Sequence, residues 1–361
     1  MAIILSVFLR GYRGKTVDFQ KVSHCHRTTT AYFLNHGKWD DIALQDTLKR
    51  SILHIIYREA QRSGQPVYCI VDDTIASHTR PSSQALHPIE AAYFHQSHLK
   101  GRQDYGHQVV SVMLSCNGIT LNYAVILYDK SKSKIQIVKE IAEELPIAPV
   151  VSYFLCDSWY TSSKVMDSFI RKGFYTIGAL KTNRILYPWG IRQKASLFAL
   201  HLRKTDLGVS LVTVGGRQFY VYRYEGELNG IPNAAVIISY PKDAFGNPKA
   251  LRLFLSTDVS LSTLEILETY IKRWPIELFF RQSKSKLALD KYQLRSRQGI
   301  QRYWLIMSLV HFLCCMHSES YCAFEEGYAF LQKQLKQEQL TNLYRFIKSG
   351  ASIEAVMELA G

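Results

Sequence analysis

The chain reads as an α/β protein, a mixed sheet with helices on its faces. A β-rich stretch interrupts it, and helical parts lie at both ends. Three observations predict this. Short apolar runs end in aspartate, as in Val67 to Asp72 and Val151 to Asp157, the pattern of buried strands. Amphipathic helical segments alternate with such runs between residues 134 and 172, which is the order of an α/β core. From residue 185 to 261 the apolar spacing changes to that of strands between Gly, Asn and Pro turns.

In chain order, Thr28 to Asn35 and Asp46 to Ser63 carry apolar residues at helical spacing, with Gly37 and Gly64 as stops. With His26, Arg27, Thr28 and Lys38, residues 1–64 form a helical N-terminal region, a candidate DNA-binding unit. Residues 65–184 form the first part of a core. Val67 to Asp72 is its first strand. Gln108 to Cys116 and Thr120 to Tyr128 make a hairpin, because Asn117-Gly118 suits a tight two-residue turn. Lys134 to Leu145 is a helix stopped by Pro146, Val151 to Cys156 a buried strand, Ser162 to Lys172 a helix closed by Gly173, and Phe174 to Leu180 a further strand. The β-rich residues 185–261 are either an insertion or the second half of a larger sheet. Helical character returns over residues 262–361, with Thr263 to Leu289 as one helix, then Ile300 to Ser318 and Tyr328 to Lys348.

With 361 residues, 47% hydrophobic and 20% charged, the chain can bury a sizeable core and is not a disordered one. It carries 44 Lys and Arg against 30 Asp and Glu, a net charge of +14. That excess points to a polyanion, nucleic acid before an acidic membrane. The seven cysteines are odd in number and lack a C-x-x-C pair, so they read as buried thiols of a reducing compartment rather than a disulfide frame. His24-Cys25-His26 has no second ligand pair at zinc spacing and is not taken as a metal site. The apolar runs Met1 to Leu9 and Trp304 to Cys315 are too short to span a bilayer. A cytoplasmic protein without a membrane partner is expected.

One spacing stands out. Tyr270, Arg273, Glu277 and Lys284 follow Y-x2-R-x3-E-x6-K. On an ideal helix these offsets fall at about −60°, −20° and −40° from Tyr270, one narrow face. Such a face is either solvated and laced with i,i+4 ion pairs or a functional one, its carboxylate holding a metal and its cations and phenol holding phosphate. Pro275 within the run kinks the helix or opens a new first turn, so the one-face geometry holds best for Glu277 with Lys284. Asp72 and Asp157 each end a strand of the core, where ligand sites of α/β sheets gather. Alone, each reads as a turn or helix cap. With Glu277 they give three hard oxygen donors, suited to Mg²⁺ or Mn²⁺, and two such ions can serve phosphodiester chemistry.

Those motifs carry a resemblance. Val71-Asp72-Asp73-Thr74, Cys156-Asp157-Ser158-Trp159-Tyr160, Tyr270-Ile-Lys-Arg273-Trp-Pro-Ile-Glu277 and Phe279-Phe280-Arg281-Gln-Ser-Lys284 resemble a bacterial insertion-sequence transposase of the DDE type, in the insertion-sequence-four-like group with the Y-R-E-K signature. The resemblance implies an RNase H-like core whose last carboxylate follows a β-rich insertion. It implies Asp72, Asp157 and Glu277 as catalytic and metal-holding residues. The family's D-x-T pattern selects Asp72 with Thr74, and Asp73 is the alternative. Tyr270, Arg273 and Lys284 would grip phosphates at the element ends. Read from position rather than from the resemblance, the loop Lys181-Thr182-Asn183-Arg184 after the last core strand either tracks the DNA backbone or is a solvated loop, and Arg295, Arg297 and Arg302 are further candidates for the duplex. Trp159 and Trp274 would stack on bases or, as the preferred reading, pack into the core. The implied activity is metal-dependent cleavage at the ends of an insertion sequence and strand transfer into target DNA, by a homodimer on double-stranded DNA with about two Mg²⁺ or Mn²⁺ ions. The alternatives are an inactive or co-opted DNA-binding relative, or a nuclease of the same fold without strand transfer.

Overall fold

The computed structural model describes residues 2–9, 19, 25–85, 88–97, 101–228, 230–318 and 320–360. Three helices lead in: α1 (Ala2–Leu9), α2 (Arg27–His36) and α3 (Asp41–Ser63). His24 lies outside the described residues. His26 caps α2, its ring accepting from Thr28 N–H, and Cys25 is exposed rather than buried. Asp40 caps α3, and Gly64 ends it in the left-handed conformation at φ 67°, which a residue without Cβ adopts at little cost.

The core follows as β1 (Val67–Ser77), β2 (Tyr93–Ser97), β3 (Arg102–Cys116), β4 (Ile119–Tyr128), α4 (Lys134–Glu144), β5 (Ser152–Cys156), α5 (Ser163–Ile170) and β6 (Phe174–Leu180). Asn117 and Gly118 both take positive φ, 46° and 83°, as the tight turn between β3 and β4 requires. β1 pairs antiparallel with β3, β3 with β4, and β1, β5 and β6 run parallel side by side. This is an RNase H-like mixed sheet flanked by helices. The short β2, which pairs with the first five residues of β3, has no counterpart in the expected elements.

The β-rich stretch continues the core sheet. Its strands β7 (Ile185–Leu186), β8 (Gln193–Lys194), β9 (Val209–Val214), β10 (Arg217–Leu228), β11 (Ile231–Pro241) and β12 (Arg252–Ser256) are joined by α6 (Ala195–His201) between β8 and β9. β12 pairs antiparallel with β6 and β11 with β12, so one sheet of twelve described strands runs through both parts. Side chains of this half, such as Leu228, Val236, Ile238 and Leu255, form a second apolar cluster beside the main core.

Beyond the sheet come α7 (Thr263–Ile271), α8 (Pro275–Lys286), α9 (Arg297–Cys315), α10 (Phe324–Lys348) and α11 (Ile353–Ala360). The expected single helix from Thr263 to Leu289 is therefore two. Pro275 has no N–H to give and its ring crowds the preceding turn. The chain tightens instead, with Arg273 N–H bonding Tyr270 O at 3.0 Å and Trp274 N–H bonding Ile271 O at 2.9 Å. Pro275 then opens α8 at its first position, where proline is favoured. Among the described residues no helix is long and apolar enough to cross a membrane.

Candidate acidic active site

β1 does not stop at Asp72, as its sequence suggested. It continues to Ser77 because β3 pairs with it along its length, Asp72 facing Ser111 and Ser77 facing Gly106. On the other side its parallel partner β5 ends. The last pair is Val71 with Cys156, so the next residues, Asp72 and Asp157, lie side by side where the two strands part. That opening at a strand's carboxyl end is where α/β sheets bind ligands.

Side chains alternate between the faces of a strand, and β1 uses both. Asp72 and Thr74 share the face that meets α8. Arg273 Nη1 donates to Asp72 Oδ2 at 2.6 Å, and Arg273 Nη2 donates to Glu277 Oε1. Lys284 Nζ donates to Thr74 Oγ1 at 2.8 Å and to Ile75 O at 3.0 Å. Asp73 points to the other face. There it accepts from Lys134 Nζ at 2.9 Å, Tyr160 OH at 2.6 Å and Gln108 Nε2 at 2.5 Å. Three donors from α4, the loop after β5 and β3 make Asp73 an anchor between elements.

Burial dominates the electrostatics. It raises Asp72 to about 6, against the pull of Arg273, with the neighbouring Asp157 adding to the rise. Burial also raises Asp157, whose Oδ1 accepts from Trp159 N–H at 2.9 Å, a bond that works in the opposite direction. Burial holds the Tyr270 phenol neutral, pushing it up to about 12 although Arg273, 5.8 Å from its ring centre, favours the phenolate. Two carboxyls held close and partly desolvated are costly to ionise together. They make a site that gains from a cation.

Three carboxylates suit a hard divalent ion. Among the described residues, however, no three acid, histidine or cysteine side chains are assembled as a metal cage. The guanidinium of Arg273 bridges Asp72 and Glu277. The donor set fits a cation, since it already holds one.

The other expected contacts divide. Lys181 and Asn183 are exposed on the loop after β6. Arg184 reaches back to donate to Thr161 O at 2.7 Å and so ties that loop to the one after β5. Arg295 and Arg297 lie beside Glu90 and Asp129. Arg295 O accepts from Glu90 N–H, and Arg297 pairs with Asp129 at 2.5 Å. Arg302 is corrected outright. Its side chain is only 5% exposed and is bonded to Gly37 O and Asp41, which removes it from any duplex. The preferred core role for Trp159 and Trp274 is corrected as well, for they are 50% and 53% exposed. Lys134 and Lys181 stand 4.5 and 4.9 Å from the centre of the Trp159 ring. The anchoring roles of Lys134 and Tyr160 escaped the sequence reading, though Tyr160 lies within the run that marks Asp157. His107 is structural, bonded through Nδ1 to Tyr292 OH and through Nε2 to Glu90 O.

Fold and site together define an RNase H-like protein with an acidic centre at the parting of its parallel strands. Residues 63–313 match the family of transposase DDE domains, and the chain belongs to that family. The curated proteins contain no match to it.

Proposed function

We propose that this chain is a DNA transposase of the insertion-sequence-four-like group with the Y-R-E-K signature. It cleaves phosphodiesters at the ends of its element and joins them to target DNA. The observation that carries the reading is the adjacency of Asp72 and Asp157 at the parting strands, with Glu277 linked to Asp72 through Arg273. Family membership and the net charge of +14 support double-stranded DNA as the substrate. Asp72, Asp157 and Glu277 would hold Mg²⁺ or Mn²⁺, in all about two ions. Such ions, when bound, lower the cost of forming the attacking alkoxide or hydroxide and offset charge on the leaving oxygen.

Both steps are in-line displacements at phosphorus. In the first, water attacks and a 3′-hydroxyl leaves. In the second, that 3′-hydroxyl attacks a target phosphodiester. Arg273 and Lys284 offer charged donors to phosphate oxygens and Tyr270 a neutral hydroxyl. Lys181, Asn183 and Arg184, on the loop tied to Thr161, extend the DNA path, and Arg295 and Arg297 are proposed as outer contacts. Joining two ends at once calls for a homodimer, working in the cytoplasm where the DNA lies.

The test is the full chain with a supercoiled plasmid carrying the DNA that flanks its own gene, with and without Mg²⁺. Metal-dependent cuts and joined products are expected. Binding without nicking would instead support the non-catalytic relative, and cutting without joining the nuclease.

The aromatic surface beside Asp157 yields its own prediction. Stacking of a base on an aromatic ring contributes roughly 1–3 kcal/mol, so Trp159→Ala should weaken binding of element-end DNA about tenfold. Lys181→Ala should lower the salt dependence of binding by about one counterion. Titration of fluorescently tagged DNA at several salt concentrations reads both. Unchanged affinity in Trp159→Ala would confine the ring to its contacts with Lys134 and Lys181.

A further inference from the structure

Arg273 stands where a bound ion would compete with it. Its two terminal nitrogens engage carboxylates from different elements, Asp72 of β1 and Glu277 of α8, and its side chain is only 14% exposed. The other oxygen of Asp72 accepts from Asp73 N–H at 2.8 Å. The neighbouring cations have work elsewhere, Lys134 on Asp73 and Lys284 on Thr74 and Ile75.

We propose that Arg273 is the built-in counter-ion of the acidic site and competes with divalent metal for Asp72 and Glu277. The proposal rests on the reading of these acids as the metal-holding set. A guanidinium and a divalent ion cannot share the same carboxylate oxygens without like charges meeting in a poorly hydrated site. Metal entry therefore requires Arg273 to leave. Phosphate is the acceptor that suits its forked donors. Arg273 sits in the tight turn between α7 and α8 rather than within either helix, so its side chain can turn outward while Glu277 stays in place. DNA phosphate and metal thus favour each other, and the coupling is reciprocal. Without DNA the site keeps its own cation.

Mn²⁺ binding to the full chain, followed by the paramagnetic resonance signal of free Mn²⁺, tests this without recourse to activity. In the absence of DNA, Arg273→Gln should bind Mn²⁺ about tenfold more tightly than the unaltered chain. Arg273→Lys, which keeps one charge but cannot bridge two carboxylates, should fall between them. Adding a short duplex from the element end should narrow the gap. Equal or weaker Mn²⁺ binding by Arg273→Gln, with binding still lost in Glu277→Gln, overturns the counter-ion while sparing the metal site. If Glu277→Gln binds Mn²⁺ as well as the unaltered chain does, the metal site itself is overturned, and the counter-ion with it. A gap that persists in the presence of duplex overturns the role of phosphate. Far-UV circular dichroism of each variant confirms that it is folded.

Discussion

Asp157→Asn and Glu277→Gln should each reduce metal-dependent nicking of supercoiled DNA by at least about a thousandfold, about 4 kcal/mol of barrier. Binding of DNA in a mobility shift should remain. Both changes keep the size of the side chain and remove only the charge that a divalent ion needs. Neither removes an anchor of the fold. Asp157 accepts one backbone N–H, a bond asparagine can also accept, and Glu277 sits on the solvent side of α8, 37% exposed. The companion pair Asp72→Asn and Asp73→Asn separates chemistry from support. Asp72→Asn should abolish nicking and cost less stability than Asp73→Asn, because Arg273 keeps Glu277 as a partner and burial already disfavours the charged Asp72. Asp73→Asn leaves Lys134 without its carboxylate and disturbs Tyr160 and Gln108. It should cost roughly 2–3 kcal/mol of stability. Nicking by Asp72→Asn at the normal rate would move the first acid to Asp73 and sink the proposed assignment.

What could be read in advance follows from how local each signal is. A buried parallel strand is a continuous apolar run. Val67 to Val71 and Tyr153 to Cys156 therefore announced themselves, and so did the polar residue that ends each run. That placed Asp72 and Asp157 each at the end of a core strand. The extension of β1 to Ser77 was not readable, because residues 72–77 form a strand through β3 rather than by their own apolar pattern. Pro275 signalled a break but not its form. A tight turn that swings Arg273 between two acids depends on where Asp72 lies, more than two hundred positions earlier in the chain. Tryptophan is more often buried than not, so composition favoured the core for Trp159 and Trp274, and only the tertiary arrangement leaves them exposed. How the β-rich stretch joins the core was likewise not readable in advance. Its strands were legible one by one, but the pairing of β12 with β6 that merges them with the core sheet is a long-range fact.

Arg302→Met should destabilise the fold by roughly 3 kcal/mol, the lower end of the cost of breaking a buried charge pair. An arginine near the signature helix looks like a DNA contact by charge alone, yet this one closes the protein onto itself. From α9 its guanidinium donates to Gly37 O at 2.9 Å and Asp41 Oδ1 at 2.9 Å, and it lies 5.0 Å from the centre of the Trp39 ring. Gly37 and Trp39 of the α2–α3 linker and Asp41 at the start of α3 thus depend on one side chain, and methionine fills its volume without satisfying them. The lower end applies because Asp41 is 32% exposed and water can partly replace its partner. The loss also has a pH signature. The hydrogen bond from Arg302 holds the Asp41 carboxyl below its ordinary value of 3.8. A carboxyl depressed in the folded state stabilises above its unfolded pKa and loses that contribution as pH falls through the folded one. The gap between the parent and Arg302→Met should therefore be full near neutral pH and should shrink below about pH 4. Urea denaturation of both proteins at pH 7 and pH 3.5, with Asp41→Asn closing a double-mutant cycle, measures this. A gap that is absent at pH 7 would return Arg302 to the surface role its charge first suggested.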